Sequence, residues 1–350
     1  MSLTDWRALH QDAFEGHKAL VTGAAGFIGS HLCEALTALG AEVVALDDLT
    51  GSGGHWDNLE GFFNGTPITG SVLDRGLLAS IMDGCSLVFH QAAMGSVPRS
   101  VEMPRQYHDV NTTGTLNILE AARQAGVRRV MFAASSSAYG DSPTLPKVET
   151  MPVMPRSPYA ATKVAGEALL SAYAISYASP PDPADVSEAA AADPPAGTGL
   201  DTVSLRYFNI FGPRQNANSA YAAVIAAFAK ALLHDEHPRI YGDGEQSRDF
   251  TFVHNAVHAN LLAARASQRL GGSVCNVACA QRITVNQLAA AMAQELGKPH
   301  LTPHHLPERA GDVKHSLADL AHTQATLGYT PIVDFGAGLA QTLDWYAQQA

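Results

Sequence analysis

Three glycines spaced three apart, Gly23, Gly26 and Gly29, join a short apolar run to a stretch with helical periodicity. Residues 18–23 read as a buried strand, and apolar side chains recur at helical intervals from 30 to 39. A strand that turns directly into a helix needs one residue that tolerates positive φ. It also needs a bare backbone at the tip and no Cβ where helix and strand cross. The three glycines meet these needs in order, and amides at the helix start, with its dipole, hold phosphate oxygens. A second strand, residues 42–46, ends at Asp47, eighteen residues after Gly29. A carboxylate there accepts hydrogen bonds from ribose hydroxyls and repels a 2′-phosphate. Gly23, Gly26, Phe27, Ile28, Gly29 and Asp47 thus form a candidate dinucleotide site suited to NAD rather than NADP.

Strand and helix patterns alternate onward from this unit. Further strands are expected at 66–69, 87–90, 129–134 and 202–207, with helices at 113–125 and 158–177. This alternation predicts an α/β fold, a doubly wound parallel sheet of the Rossmann type. Ligands bind such sheets beyond the strand C-termini, so residues 90–93, 135–137 and Asn209 should face one crevice. The pattern loosens after Phe211: helices at 221–233 and 255–266, a short strand at 238–241, and a strand at 273–277 that rejoins the sheet. The expected division is a dinucleotide-binding domain over 1–210, with segments near 249–278 returning to it, and a smaller α/β substrate lobe within 211–350. Residues 179–199 break the rhythm; rich in Pro, Ala and Gly, with four acids and no base, they read as a mobile insertion. Residues 1–16 read as a leading amphipathic helix without the apolar core of a signal peptide.

A net charge of −11 argues against nucleic-acid or basic membrane-surface binding, and means that an anionic substrate must be met by locally placed arginines. No apolar run approaches the roughly 18 residues of a membrane span. The four cysteines lack C-x-x-C spacing, as in a reduced cytoplasmic protein.

Tyr159 and Lys163 stand four apart within an expected helix, one turn from each other on one face. A cation there favours the phenolate, so that the tyrosine can take a proton from an alcohol. Ser135, Ser136 and Ser137, about twenty residues earlier, supply a hydroxyl that can share the hydrogen bond to that alcohol. The set suits proton removal from an alcohol while hydride leaves the same carbon. His254 and His258 also have helical ligand spacing, but no third metal ligand accompanies them. Cys275 and Cys279 read as core residues, and no metal site is expected.

The glycine triplet, Ser-Ser-Ser-x-Tyr-Gly, Tyr-x-x-x-Lys and the run Arg206-Tyr207-Phe208-Asn209 together resemble the extended short-chain dehydrogenases that act on nucleotide sugars. The likeness runs from Lys18 to about Pro331. Through residues 91–100, 134–141, 145–149, 242–250 and 311–319 the chain looks most like the UDP-N-acetylglucosamine 4-epimerases among the relatives of UDP-galactose 4-epimerase. The resemblance implies that Tyr159 is the base, with Lys163 its partner and also on the nicotinamide ribose. It implies Ser135 or Ser136 on the sugar hydroxyl, with Gly95, Ser96 and Ser137 also lining the substrate. Val72, Gln91, Asn111 and Phe208 would adjoin the cofactor. Asn209, Arg248 and Arg309 would hold the UDP diphosphate, for which forked guanidinium groups are apt. Ser316 would lie by the C2 substituent of the sugar; a plain alternative makes it the N-cap of a short helix, with Asp319 three residues on. Ser71 stands where many relatives carry an Asp at the adenine edge.

The implied reaction is 4-epimerisation of a UDP-hexose, most closely UDP-GlcNAc/UDP-GalNAc, through a transient 4-keto sugar with NAD retained. The acid pair of 4,6-dehydratases and the Glu of the decarboxylases are replaced here by Ser136-Ser137. UDP-glucuronate 4-epimerisation is the rival; a non-catalytic NAD-binding regulator is disfavoured because Tyr159 and Lys163 both stand. A homodimer paired through the helices at 113–125 and 158–177 is implied as well.

Overall fold

The computed structural model describes residues 4–51, 53–178, 199–217, 224–308 and 314–349. Seven parallel strands form its main sheet: β1 (Lys18–Thr22), β2 (Glu42–Asp47), β3 (Ile68–Thr69), β4 (Leu87–His90), β5 (Arg129–Ser135), β6 (Asp201–Tyr207) and β7 (Ser273–Val277). Their order across the sheet is β7-β6-β5-β4-β1-β2-β3. The direction of winding therefore reverses between β1 and β4, whose C-terminal residues Thr22 and His90 lie side by side. That reversal opens the crevice in which such sheets bind ligands.

The sheet is covered on both faces, so β4 and β6 are buried throughout. Their side chains alternate between two cores. Val21, Phe89, Met131 and Leu205 pack with Leu32 and Leu36 of α2 (Phe27–Ala38) and with Val257 and Leu261 of a later helix. Leu20, Val88, Val130 and Phe132 pack on the other face with Leu78, Ile118 and Leu170. Those three belong to α3 (Arg75–Met82), α6 (Gly114–Gln124) and α7 (Pro158–Ser176). Before α2 comes the short α1 (Trp6–His10), and between α3 and α6 lie α4 (Val97–Glu102) and α5 (Pro104–His108). Leu116 on α6 and Ile175 on α7 stand exposed. No helix among the described residues is long and apolar enough to cross a membrane.

The lobe has its own core. Phe228 and Leu232 of α8 (Val224–Leu233), Phe252 at the entry to α9 (Val253–Arg265), and Leu288 and Met292 of α10 (Val285–Glu295) pack together with Phe211 and Ile240. Helix α9 itself lies on the main sheet, as does β7, which pairs with β6. At the N-terminal edge Arg129 donates to Asp201 at 2.7 Å and to the carbonyls of Ala263, Ala266 and Gln268, tying the end of α9 to the strands.

Most element bounds follow the sequence pattern, with instructive differences. The leading helix spans only Trp6–His10. Helix α2 begins at Phe27, so the glycine turn runs straight into its first turn. The helix expected from 113 is preceded by a π-helical stretch, Asp109–Thr113. The insertion expected at 179–199 lies outside the described residues up to 198, as do residues 221–223 of the expected helix at 221–233.

Histidines knit the N-terminal segment to the domain. His10 Nε2 meets His258 Nδ1 at 3.0 Å, and Thr4 Oγ1 meets His254 Nδ1 at 2.8 Å. His90 sits between the hydroxyls of Thr22 and Thr115, and His31 bonds the carbonyl of Pro213. Burial lowers His10, His254 and His258 to about 4 and His90 to about 3, and pushes His31 well down. These rings are neutral in the folded protein and gain protons near 6.5 once unfolded. The unfolded chain then binds more protons between pH 6.5 and about 4, so stability falls as pH falls through that window. Each such histidine contributes up to about 1.4 kcal/mol per pH unit. Urea unfolding should show a level midpoint from pH 8 to 7 and a steep decline from 6.5 to 5, before most carboxylates titrate. A level midpoint across that second interval would count against neutral buried rings.

Candidate active site

The dinucleotide turn is built as close packing demands. Gly23 has φ +67°, and a Cβ there would stand 2.8 Å from the amide nitrogen of Ala92 after β4. A Cβ on Gly29 would sit 2.0 Å from the carbonyl oxygen of Gly23. Gly26 is the N-cap of α2, and no side chain caps that helix start, so the amides of Phe27 and Ile28 are left for an anion. Asp47, at the end of β2, accepts from the amides of Ala25 (3.0 Å) and Leu49 (2.8 Å). Burial raises its carboxyl, and the two amides pull the other way. Asn58, which no spacing singled out, holds the loop after β2 to the turn by donating to Ala25 O at 2.8 Å. An uncapped helix start, glycines that exclude side chains and a carboxylate at the ribose position fit NAD.

Other expected cofactor residues have protein partners of their own. Val72 is buried against Gly114, where a Cβ would stand 2.6 Å from its Cγ2. Gln91 Oε1 accepts from the Tyr207 hydroxyl at 3.2 Å. Asn111 Oδ1 accepts from Met94 N (2.8 Å), while its Nδ2 donates to Met94 O (3.1 Å) and Thr162 Oγ1 (3.0 Å). Asn111 thus braces the loop after β4 against α7. Phe208 departs from expectation: its ring is fully buried with Tyr139, Ala278 and Ala318, so it offers no face to the crevice.

At the C-terminal end of β5, Ser135 is the serine that meets Tyr159. Its Oγ accepts from Ser137 N (3.2 Å) and Ser137 Oγ (2.8 Å), and it shares a hydrogen bond with Tyr159. The Ser135 hydroxyl thus lies between Ser137 and the phenol. Donation there lowers the tyrosine, but burial outweighs it and holds the phenol above its ordinary value. The Lys163 ammonium donates to Ala133 O at 2.8 Å and lies over the rings of Phe132 and Tyr159, 4.9 and 5.9 Å from their centroids. Burial brings Lys163 down to about 7, opposed by the charge of Glu167. Burial sets the direction in which the phenol moves, with the Ser135 hydrogen bond opposing it. Tyr107, missed in the sequence, packs edge-on against the Tyr159 ring and accepts from Ser96 N at 3.1 Å. Ser96 caps α4, and Gly95 beside it is exposed.

On the lobe side, three expected residues converge. Asn209, with φ 37°, donates to Asp249 O (3.2 Å) and to Ser316 Oγ (3.4 Å). Arg248 donates to Lys314 O at 3.2 Å, and Ser316 N to Ser247 O at 3.0 Å. Ser316 does not cap a helix, because the next helix begins only at Ala321. Buried Asp249, also unforeseen, accepts from Cys279 N and Ala318 N, and burial pushes its carboxyl up to about 6. Arg309 lies outside the described residues. His254 and His258 spend ring nitrogens on Thr4 and His10. Cys275 is buried in β7 and Cys279 is half-buried after it.

Residues 19–278 match the model of the NAD dependent epimerase/dehydratase family. A UDP-glucose 4-epimerase of Mycolicibacterium smegmatis is 38% identical over 340 residues, 95% of this chain and 99% of that protein. Among solved structures, the UDP-N-acetylglucosamine 4-epimerase from Methanobrevibacter ruminantium M1, in complex with UDP-N-acetylmuramic acid, superposes with a TM-score of 0.85 at 37% identity; the match covers 96% of this chain and all of that one. The Thermus thermophilus UDP-glucose 4-epimerase complex with NAD gives 0.79 at 34% identity, over 95% of this chain and all of that one. A match that runs from the first strand of the sheet to its last, with a relative alike along nearly its whole length, makes this chain a member of the NAD-dependent epimerase/dehydratase family, with NAD as its cofactor.

Proposed function

We propose that the protein is a UDP-hexose 4-epimerase acting chiefly on UDP-GlcNAc and UDP-GalNAc. The observation that carries the reading is the Ser135–Tyr159 hydrogen bond at the crevice, with Lys163 behind it and serines where related chemistries need an acid. Bound NAD supplies the acceptor and donor of a hydride. Tyr159 takes the proton of the sugar 4-hydroxyl as that carbon is oxidised, and Ser135 keeps the hydroxyl oriented. After the 4-keto sugar has turned in its pocket, its other face takes the hydride back at C4 and Tyr159 returns the proton to the oxygen. Burial disfavours both the phenolate and the ammonium, so the base form of Tyr159 relies on positive charge beside it, which Lys163 and a bound nicotinamide would supply. Arg248 and Asn209 hold the diphosphate while the hexose reorients. The names of the relatives support 4-epimerisation and differ on the hexose. Ser316, bonded to Asn209, favours the acetylated sugars: a small hydroxyl side chain leaves room for an N-acetyl group and can bond its amide. The reading includes a homodimer in which a second copy covers exposed Leu116 and Ile175.

Tyr159→Phe should keep its NAD and its fold and lose at least about a hundredfold in turnover. Near-normal turnover would remove the tyrosine from the role. In a panel of UDP-Glc, UDP-GlcNAc and UDP-GlcA, wild type should convert the acetylated sugar best; Ser316→Tyr should lose that substrate far more than UDP-Glc, because overfilling acts as a steric veto. Equal losses on both sugars would show that Ser316 supports only the Asn209 contact, and preferred turnover of UDP-GlcA would overturn the substrate assignment. Sedimentation at micromolar concentration should give a dimer, and a monomer alone would refute the pairing.

A further inference from the structure

We propose that the cavity at the N-terminal edge of the sheet is a second anion site, built for the phosphate group of a small metabolite. Its volume is about 700 Å³, within the usual span of small-molecule sites. His17 immediately precedes β1, Leu87 opens β4 and Arg128 immediately precedes β5, and all three line it. The reacting groups lie beyond the opposite ends of these strands. Seven residues of β5 separate Arg128 from Ser135, a distance of about 20 Å along the strand. The cavity is therefore distinct from the dinucleotide and sugar crevice.

Its charge runs against that of the chain. Arg128 and Arg265 share the wall with His10 and His17, and Asp12 is the sole carboxylate lining it. The neighbouring Arg129 is neutralised by buried Asp201. Arg128, half-buried, donates from Nη2 to Ala264 O at 2.6 Å and has no carboxylate partner among the described residues. Arg265, exposed at the end of α9, bonds His10 Nδ1 at 3.5 Å and has no carboxylate partner among the described residues. The histidines register these open cations: Arg128 helps burial to lower His17, and Arg265 adds to the lowering of His10. Two unpaired guanidinium groups at the rim of a cavity are a recognition pattern for phosphate oxygens. The volume exceeds that of a bare phosphate, and the exposed polar side chains of Gln11 and Ser267 on its wall suit a hydroxylated organic remainder. The site is thus suited to a phosphate monoester, with inorganic phosphate as the smaller form of the same ligand chemistry.

The test uses the full-length enzyme saturated with NAD and UDP, so that the crevice is filled. Inorganic phosphate and glucose 1-phosphate are titrated separately at constant ionic strength by calorimetry, with the His17 ring resonances followed by NMR. One site should saturate at or below about 10 mM, with movement of the His17 resonances. Tighter binding of glucose 1-phosphate assigns the sugar hydroxyls to the polar wall, and equal binding assigns free phosphate as sufficient. Arg265→Gln should weaken the site about tenfold or more, the scale of one charge-assisted hydrogen bond, and leave turnover unchanged. Arg128→Gln should do the same; if that variant does not fold, the exposed Arg265→Gln decides alone. No saturable binding, immobile His17 resonances, or an unchanged affinity in Arg265→Gln would overturn the proposal.

Discussion

Among the described glycines, the approach of α2 to the turn before it leaves the least backbone room for a side chain. A single methyl at Gly29 would stand 2.0 Å from Gly23 O, and one at Gly23 would press on the backbone of Ala92. The same contact brings the end of β1 against the end of β4, where the winding of the sheet reverses. From it follow the uncapped start of α2, the place of Asp47 and the position of the loop after β4. Asn111 and Tyr107 carry that placement onward: one ties the loop to α7, and the other packs against Tyr159. The crevice is rigid because each wall is hydrogen-bonded to the next, not because any one bond is strong.

Desolvation governs the chemistry of the site. It raises the Tyr159 phenol and lowers the Lys163 ammonium, so both groups are held nearer their neutral forms. The donor that eases the phenol toward charge is Ser135, which is itself hydrogen-bonded to Ser137. Ser137 therefore acts through Ser135. The same force keeps the histidine layer around α9 neutral and pushes Asp249 up to about 6. A domain that buries so many titratable groups gives up stability toward acid in exchange for fixed hydrogen-bond geometry.

The lobe meets the crevice through polar side chains that bond backbone groups and one another. Asn209 takes a left-handed conformation, bonds Asp249 O and reaches Ser316, while Asp249 gathers amides from two separate segments. Bonds of this kind set where Arg248 and Ser316 stand relative to β6.

The sequence by itself determined the elements whose signal is local. Spacing of glycines, apolar periods and the position of Asp47 are written within about thirty residues, so the sheet, its winding and the dinucleotide turn were legible. The Tyr159–Lys163 pair was legible for the same reason, since four residues make one helical turn. Tertiary structure decided the rest. It selected Ser135 from three equivalent serines, withdrew the Phe208 ring into the core, removed the helix that Ser316 was to cap, and recruited Tyr107, Asn58 and Asp249. It also added burial to the forces on Tyr159, because a charge effect can be read from spacing and a desolvation effect cannot. Contacts such as Asn209 to Ser316 join residues more than a hundred apart; they arise from how finished elements pack, and packing leaves no periodic trace in the chain.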